Sequence, residues 1–581
     1  MSQVDPITTE VIRNAMVALT EEMKLTLVKT AYNPLIYEVM DFSVALTNEH
    51  GELYGQAAGL TIFLASLPAT IKSGLETIGP ENLAEGDVIL ANDPYTTGTH
   101  ISDTAVYVPI FHEGELVAFS VNMAHWADMG GMVPGGWTPN STDVFQEGLR
   151  FTHIKLYRAG QRNEDLHQLI QANVRFPDIV HGDLSAQIAA CQTGARRYKA
   201  LCEKYGADTI RAAMSRVFDE SEALVRARVR EIPDGVYPAE TYMDHDGVET
   251  DKLRKVKATI TVNDSDLTVD LTGSSDVCSG PINLPFIGTR AAVEMAFKAL
   301  TVPLDPTNAG HMRPLRVIAP ENTVVNPQYP APSDSYGYVG NTLSDLVIRA
   351  MAPALPDKCT AGSYQLFGVY FLRVDHRYGE PFLFVEPTAG GWGGRPHADG
   401  ETLIFYLDGD TPNTPGEVIE SRYPLLVDSY TYNLGSAGIG KYRGGLGVIR
   451  NYQVLTDHVF LHTFNESTQY PPWGLFDGQQ AIPCRTVAWP GTDKERVLYD
   501  RQAHVGPLFH GETVSVRSGG GGGWGNPLER DPTLVARDAK NELLAIEEAK
   551  RDYGVILDTA TGDVIIEATE LERAERRQAI D

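Results

Sequence analysis

The chain has 581 residues, a formal net charge of −28, and a composition of 43% hydrophobic and 21% charged residues. This length predicts two or three domains, and so acidic a balance excludes a nucleic-acid-binding protein, because such proteins need basic side chains to neutralise phosphates. Five scattered cysteines without C-x-x-C spacing, no signal-peptide leader and no apolar run long enough to cross a bilayer predict a cytoplasmic protein without a membrane segment.

The first part of the chain alternates helical and strand-like segments. Asp5-Pro6 is typical of a helix N-cap followed by proline in the first turn, and apolar residues recur at helical spacing to about Ala31. A strand, a turn and a second strand are predicted within residues 39–53. Three later segments complete this part: a helix at 67–78, a strand at 86–91 and helices over 166–229.

The second half of the chain changes to a β-rich pattern. Beyond Pro233, strand-like runs separated by turn residues continue to about Arg517, and one helix at 289–300 interrupts them. A second cap-plus-proline pattern begins a charged helix at 531–553, and a last helix follows at 568–578. The predicted fold class is therefore α+β and multi-domain. Its predicted domains are a mixed α/β region at 1–240 that carries the candidate metal site, a β-rich domain at 241–530 and a helical tail at 531–581.

Residues 92–131 carry the most informative pattern of the chain. Two strand-like runs are joined by a short polar turn, which favours an antiparallel hairpin. If Phe111 faces Leu116, the register continues back along the two strands and places His125 opposite Ser102. The end of the second run is then expected to return to the loop that precedes the first run.

His100 and Asp103 flank that same open end, so two imidazoles and a carboxylate are expected to meet. This set suits Zn, Mn or non-haem Fe better than Ca or Mg, whereas the alternative is that each histidine caps a strand or bonds a loop carbonyl. Asp41 lies in an apolar strand and is either a fourth ligand or a solvent-facing residue of an edge strand. Pro109 cannot donate to a ladder and implies either an edge strand or a bulge, and a bulge would shift the register by one and turn His125 to the other face.

Other residues near this motif are weaker candidates. Asp128 and Glu147 are candidate general bases towards a metal-bound water, and the alternative for each is a surface carboxylate. Arg175 is a candidate clamp for a phosphoryl group or carboxylate, or the partner of a structural acid. The glycine run at 519–523 lacks the Lys-Ser/Thr of a Walker loop, so close backbone packing is favoured over a nucleotide site.

At these residues the sequence resembles the hydantoinase B/oxoprolinase family. The likeness covers nearly the whole chain, and its N-terminal motifs are specific. One mild departure is that glycine often fills the positions held here by Thr96 or Thr97. The matching segments are 41–43, 86–88, 92–103, 125–131, 147–149, 173–175, 280–283, 390–393, 417–420 and 519–527.

The resemblance implies a division of labour between two subunits. A larger hydantoinase A-type partner with an actin-like ATPase fold would bind ATP and Mg and phosphorylate the carbonyl oxygen of the substrate, in an α2β2 assembly. The metal subunit would then complete the reaction. The resemblance implies His100, Asp103 and His125 as metal ligands, with Asp41 where a fourth carboxylate is expected. Zinc is the first expectation for the ion, with Mn or Fe as alternatives.

Three hypotheses for the function follow. The first is the β subunit of an ATP-dependent cyclic amide hydrolase that opens a hydantoin, 5-oxoproline or lactam ring. The second is the metal-binding subunit of an ATP-dependent ketone carboxylase of the acetone or acetophenone type. The third is a non-catalytic scaffold for the ATPase. We favour the first because acetone carboxylase α subunits are appreciably longer, which is an argument from the family.

Overall fold

The computed structural model describes residues 4–407, 409 and 411–580, and the chain divides into two compact units. Unit 1 comprises Met1–Ala350, Leu372–Glu386 and Leu407–Pro415, and unit 2 comprises Met351–Phe371, Pro387–Tyr406 and Gly416–Asp581. These division points differ from the predicted boundaries near 240 and 530, and the three-domain division stays a prediction. Among the described residues, no helix combines the length and the apolar character that a membrane span requires.

Unit 1 mixes helices with mainly antiparallel strands. Short 3₁₀ helices lie at Pro80–Asn82, Val144–Gln146, Ala309–Met312 and His376–Tyr378. The other elements up to residue 351 are α1 (Pro6–Thr30), α2 (Pro34–Tyr37), β1 (Phe42–Asn48), β2 (Leu53–Gln56), α3 (Phe63–Ile78), β3 (Val88–Ala91), α4 (Pro94–Thr97), β4 (Asp103–His112), β5 (Glu115–His125), β6 (Ile154–Arg158), β7 (Gln161–Arg162), α5 (Glu164–Asn173), α6 (Pro177–Tyr205), α7 (Ala207–Val229), β8 (Gly235–Met243), β9 (Arg254–Asn263), β10 (Asp266–Asp270), α8 (Phe286–Thr301), β11 (Leu315–Ile318) and α9 (Tyr336–Met351).

A seven-stranded antiparallel sheet forms the centre of the first part of unit 1, in the order β2-β1-β5-β4-β3-β6-β7. Helix α1 starts as predicted, because the Asp5 side chain accepts bonds from the backbone N–H groups of Ile7 and Thr8 at 3.0 Å. Its buried residues Ile12 and Met16 belong to one core cluster with apolar residues of β1, α6 and α7. Strands β1, β4 and β5 are buried almost throughout, so they carry continuous apolar runs rather than alternation.

The start of β1 differs from the prediction. The strand begins at Phe42, so Asp41 lies just before it and not inside it. Met40 has a φ of 62°, in the left-handed region, and this turn of the backbone prevents an earlier start. Asp41 is therefore a loop residue at the mouth of the sheet.

The β4–β5 hairpin confirms the pairing of Phe111 with Leu116 but not the register beyond it. The register shifts between Ile110 and Phe111, and His125 pairs with Asp103 instead of Ser102. One extra residue of β5 at this bulge causes the shift. The expectation that a bulge would remove His125 from the site was wrong, because directly opposed residues share one face of the sheet.

The next part of unit 1 contains a helix that the sequence did not predict. A four-stranded sheet in the order β11-β10-β9-β8 is followed by α9, whereas only α8 was expected among these strands. Between Tyr336 and Met351 every residue except Arg349 is buried. A helix buried on nearly all sides has no polar face, so its 3.6-residue period does not appear in the sequence.

Unit 2 is rich in strands and ends in helices. Strands β12 (Gly368–Arg373) and β13 (Phe382–Pro387) run across the division points, and a 3₁₀ helix lies at Pro527–Glu529. The remaining elements are β14 (Gly390–Gly391), β15 (Thr402–Ile404), α10 (Gly416–Arg422), β16 (Leu425–Asn433), β17 (Gly447–Val454), β18 (Val459–Thr463), β19 (Arg485–Ala488), β20 (Arg496–Leu498), β21 (Gln502–Leu508), β22 (Thr513–Arg517), α11 (Pro532–Lys540), α12 (Ile546–Tyr553) and α13 (Ile566–Ile580).

Two predictions for this unit need correction. Helix α10 was not expected. The single charged helix predicted at 531–553 is two helices, α11 and α12. The break follows from Glu542, whose φ of 59° is left-handed and cannot continue a right-handed helix. The predicted last helix is present as α13.

Glycine-rich segments of unit 2 pack backbone against backbone. We call residues 390–394, 438–445 and 519–523 the glycine-packed centre. Gly521 N–H donates to the Gly445 carbonyl at 3.0 Å, and the Gly521 carbonyl accepts from Gly438 N–H at 2.8 Å. A Cβ atom on Gly521 would overlap the carbonyl group of Trp392. The run at 519–523 is therefore a close-packing element, as predicted.

Candidate metal site

Four of the predicted site residues lie at one edge of the seven-stranded sheet. Asp41 precedes β1, Asp103 is the first residue of β4, and His125 is the last residue of β5. Because β5 runs antiparallel to both β1 and β4, the start of those two strands and the end of β5 reach the same edge. His100 lies in the loop between α4 and β4. The sheet topology thus brings the four residues together.

Three donor atoms form a small triangle at this edge. His100 Nε2 lies 3.1 Å from His125 Nδ1 and 3.1 Å from Asp103 Oδ1, and His125 Nδ1 lies 3.2 Å from Asp103 Oδ1. The three residues are buried, with at most 2% of each exposed. Their convergence is confirmed, and their role as metal ligands stays a prediction.

Asp41 lies beside this triangle. Its Oδ2 is 3.9 Å from His125 Nδ1, and its side chain is 19% exposed. The backbone supports the arrangement, because His125 N–H donates to the Asp41 carbonyl at 3.2 Å. The position next to the donor atoms favours the interpretation as a fourth ligand over the solvent-facing alternative.

The electrostatics of the site favour positive charge between the carboxylates. Burial raises the pKa of Asp41 to about 6, and the charge of His125 opposes this rise. Burial alone would also raise the pKa of Asp103, but His100 and His125 outweigh it and keep that pKa below its ordinary value. For His100, burial acts to lower the pKa, yet Asp103 and Asp334 raise it well above its usual range. A protonated imidazole or a bound cation satisfies this demand.

A loop at residues 333–336 completes the surroundings of the donor atoms. His100 Nδ1–H donates to the carbonyl of Asp334 at 2.8 Å, so Nε2 is the ring nitrogen that faces Asp103 and His125. The Tyr336 hydroxyl donates to Asp103 Oδ2 at 3.0 Å. Bonds of this kind fix the tautomer and orientation of metal ligands. Asp334 and Tyr336 were not among the predicted site residues, since Asp334 lies 234 residues from His100 in the sequence. The one local signal is the short polar run that precedes helix α9.

Glu147 anchors the same loop. Its Oε1 accepts bonds from Ser333 N–H at 2.8 Å, Asp334 N–H at 3.0 Å and the Ser141 hydroxyl at 2.9 Å. Burial, together with the charge of Asp334, raises the pKa of Glu147 well above its ordinary value. The alternative of a surface carboxylate is therefore wrong for Glu147. A role as general base stays a prediction.

Asp128 organises the neighbouring loop. Its Oδ1 accepts from Gly135 N–H at 3.1 Å and Arg175 Nη1 at 2.9 Å, and its Oδ2 accepts from Gly130 N–H at 3.1 Å and Arg175 N–H at 2.7 Å. Asp128 is fully buried, so the surface alternative is wrong here too. Of the two interpretations of Arg175, the pairing with a structural acid is confirmed. A general-base role of Asp128 stays a prediction.

The residues of the site fit a divalent ion with nitrogen and oxygen ligands. A triangle with edges of 3.1–3.2 Å is the size that ligands about 2.0–2.2 Å from a shared zinc ion span. His125 Nε2 and Asp41 Oδ1 are buried without a hydrogen-bond partner among the described residues. Such atoms are costly to bury, so they indicate that a further ligand or ion shares the site. The mixture of imidazole and carboxylate suits Zn, Mn or Fe.

The resemblance to a known family extends along almost the whole chain. The model of the hydantoinase B/oxoprolinase family matches residues 5–527. The chain belongs to this family. The resemblance predicted from the motifs is therefore confirmed.

Named members of the hydantoinase B/oxoprolinase family match this chain along its length. A putative D-/L-hydantoinase B-type subunit from Pseudomonas sp. (strain NS671) is 34% identical over 573 residues, which cover 96% of each chain. The solved structure of the ATP-dependent caprolactamase from Pseudomonas jessenii matches with a TM-score of 0.89 and 30% identity, covering 99% of this chain and 100% of that chain. An acetone carboxylase structure matches with a TM-score of 0.89 at 20% identity, covering 99% and 83%, which shows a shared fold. The predicted α+β fold class is confirmed.

Proposed function

We propose that this chain is the metal-bearing β subunit of an ATP-dependent cyclic amide hydrolase that opens a hydantoin, 5-oxoproline or lactam ring. A larger hydantoinase A-type partner binds ATP and Mg²⁺ in this proposal, within an α2β2 assembly. The observation that carries the proposal is the buried triangle of His100, Asp103 and His125. It lies in a chain that is similar along its length to a B-type hydantoinase chain and to an ATP-dependent caprolactamase.

The chemistry of the substrate explains why two subunits are needed. Amide resonance makes a lactam carbonyl a poor electrophile, so the partner transfers the γ-phosphoryl group of ATP to the carbonyl oxygen. One water adds to the carbonyl carbon and the C–N bond of the ring breaks, which gives an acyl phosphate, and a second water then displaces phosphate, which leaves with the original oxygen. One ATP and two waters are consumed for each ring opened, and ADP, phosphate and the ring-opened acid are released.

In this proposal, residues of this chain carry out the hydrolysis that follows phosphoryl transfer. His100, Asp103 and His125 would hold the ion, with Asp41 as the proposed fourth ligand. An ion in this site supplies Lewis acidity, which lowers the pKa of a water that it coordinates. We propose a positioning role for Asp128, because N–H groups already donate to both of its oxygens. Glu147 accepts bonds at Oε1, whereas its Oε2 is buried without a hydrogen-bond partner among the described residues, so Glu147 remains the proposed general base.

The glycine-packed centre supports the assignment of ATP to a partner. A phosphate-binding loop needs free backbone N–H groups around an open space. At 521–523 the N–H groups already donate to the carbonyls of Gly445, Gly362 and Gln479, at 2.8–3.0 Å. The backbone of unit 2 thus fills the space that a phosphate would need.

A ketone carboxylase is the second candidate, and a non-catalytic scaffold is the third. The carboxylase is favoured by a single observation, the fold shared with an acetone carboxylase. The hydrolase is the better supported proposal because the hydantoinase chain and the caprolactamase share more of the sequence.

The decisive experiment measures metal and activity together in the chain co-purified with its ATPase partner. We expect stoichiometric zinc, manganese or iron in the wild type and ATP-dependent opening of a hydantoin, 5-oxoproline or lactam. His100→Ala should lose both. His181→Ala is the matched control, since its ring stacks on His167 and is not part of the donor triangle, and it should keep both.

Two outcomes would contradict the proposal. Turnover of a ketone that depends on bicarbonate, without lactam or hydantoin hydrolysis, would establish the carboxylase. Full hydrolytic activity in a His100→Ala complex that contains no metal would show that this chain is a non-catalytic scaffold.

A further inference from the structure

A cavity of about 230 Å³ opens in unit 1 at a distance from the candidate metal site. It is lined by α3, α8, the turn between β1 and β2, and the segment 307–313. Strand β1 begins beside Asp41 at the metal site and ends at Asn48. At about 3.3 Å per residue its length is roughly 20 Å, and the turn that lines the cavity lies at the far end. The cavity is therefore separate from the metal site.

Two cations of this cavity have donors without a partner among the described residues. Arg290 Nε donates to Glu294 at 2.6 Å. Neither Nη group of Arg290 donates to a described residue, so both can donate to a ligand. The Lys72 ammonium forms no hydrogen bond or ion pair with the described residues, and both Lys72 and Arg290 are exposed to solvent at the mouth of the cavity. Burial raises the pKa of Glu294, and the charges of Arg290 and Lys72 oppose that rise. Both cations thus face one buried carboxylate.

The charges that line the cavity are nearly balanced. Three cations, Lys72, Arg290 and Arg313, line it together with two carboxylates, Glu52 and Glu294. Arg313 Nη1 already donates to Asp219 at 2.9 Å and to Glu222 at 3.1 Å. The ammonium of Lys72 and the Nη groups of Arg290 are therefore the cationic donors that remain for a ligand.

The rest of the wall is mostly apolar. Leu53, Pro68 and Met312 line the cavity, and the hydroxyl of Thr307 has no bond partner among the described residues. A guanidinium presents paired N–H donors that match a carboxylate or phosphoryl group, and an ammonium adds a point charge. The volume is below the roughly 300–1,000 Å³ of sites for drug-sized ligands, so the ligand has a short carbon skeleton.

We propose that this cavity binds a small organic anion. Arg290 and Lys72 hold its carboxylate or phosphoryl group, and the apolar wall contacts its short carbon skeleton. Because the cavity lies at the other end of β1 from the donor triangle, this anion is a second ligand and not the compound that reacts at the metal site.

The first test measures binding of three probes to the full chain by isothermal titration calorimetry. Butyrate and butyl phosphate carry the two charged groups, and butyramide is the neutral isostere of butyrate. We expect at least one anion to bind saturably and about tenfold more tightly than butyramide, which is the effect of one charge-assisted hydrogen bond. The anion that binds identifies the charged group.

Variants locate the binding. Lys72→Gln should weaken it about tenfold, and Ala69→Leu, which keeps a good helix former in α3, should abolish it by filling the cavity. Lys29→Gln on α1 changes the net charge equally, lies outside the lining, and should bind as the wild type does. His125→Ala should also bind normally, because the anion is not held at the metal site.

Three results would overturn the proposal. The first is that neither anion binds more tightly than butyramide. The second is that binding is the same in Lys72→Gln and Ala69→Leu as in the wild type. The third is that binding disappears in His125→Ala, which would place the anion on the donor triangle.

Discussion

The candidate metal site and the glycine-packed centre are both buried, but side chains form the first and backbone forms the second. The site consists of side chains at strand ends and of the loop at 333–336, which are joined by side-chain hydrogen bonds but leave buried atoms such as His125 Nε2 without a partner among the described residues. The centre consists of main chain, in which Gly391, Gly444 and Gly521 approach other backbones closely. Loss of a side chain at the site should therefore change ligand binding and spare the fold. One added carbon atom in the centre should break the fold.

The largest expected effect is at the glycine-packed centre. Gly521→Ala places a Cβ atom against the carbonyl carbon and oxygen of Trp392. These are backbone atoms, so they cannot rotate away as a side chain could. We expect a loss of more than about 4 kcal/mol in the free energy of unfolding. Soluble yield and thermal melting of the purified variant measure it.

Gly416→Ala is the matched control within the same unit. The nearest atom to a Cβ there is in Val427, at 3.8 Å, and Gly416 begins helix α10. Alanine should be neutral or slightly stabilising at this position. Equal melting temperatures for the two variants would show that the close packing at Gly521 does not limit the fold.

The second effect concerns removal of the ion from the site. If an ion holds the buried carboxylates together, a chelator should lower the stability of the wild type by about 3 kcal/mol for an ion at about 100 times its Kd. His125→Ala should already have lost this stabilisation, and the chelator should not change it further. Urea unfolding with and without chelator gives both numbers. A chelator that destabilises the wild type and His125→Ala equally would place the ion elsewhere.

The features that the sequence predicted depend on local signals. The start of α1 follows from the cap at Asp5, and the pairing of Phe111 with Leu116 follows from a short polar turn. The convergence of His100, Asp103 and His125 follows from that pairing. Each signal lies in the same helix or the same hairpin as the feature that it predicts.

The features that the sequence could not predict depend on surroundings. Pro109 indicated a bulge, but it could not show that β5 takes the extra residue and so places His125 opposite Asp103. Helix α9 has no polar face that would reveal its period. Asp334 and Tyr336 reach the site through the tertiary fold, and no spacing in the chain connects them to the hairpin.

The third effect is a pH dependence away from the site. His153 is buried between Tyr107 and Ser73, and burial lowers its pKa to about 4. Below a pH of about 6.5 the unfolded chain protonates this imidazole while the folded chain does not, so stability falls as the pH drops from about 6.5 to about 4. The loss should reach about 2–3 kcal/mol, at about 1.4 kcal/mol for each unit of pKa.

Urea unfolding of His153→Gln between about pH 7 and about pH 4 measures the contribution of His153 to this loss of stability. The variant should lose less stability on acidification than the wild type. His50→Gln is the control, since the His50 side chain is 75% exposed, and it should follow the wild type. Parallel curves for wild type and His153→Gln would exclude His153 as the source of the acid sensitivity.

The smallest expected effect tests the loop at 333–336 as a support of the metal site. Tyr336→Phe removes the hydroxyl that donates to Asp103 Oδ2 at 3.0 Å and leaves the ring that packs against His100. Removal of such a supporting bond weakens metal binding by about 10–100-fold, and we expect the lower value because one bond is lost. Metal titration of the chelated protein measures the affinity directly. Tyr329→Phe is the control from the same stretch, since the Tyr329 ring is half exposed and packs against Tyr95, away from the donor triangle. If both variants bound metal as tightly as the wild type, the strand ends alone would hold the ligands in place. The metal site would then depend on its backbone, as the glycine-packed centre does, and not on its side-chain hydrogen bonds.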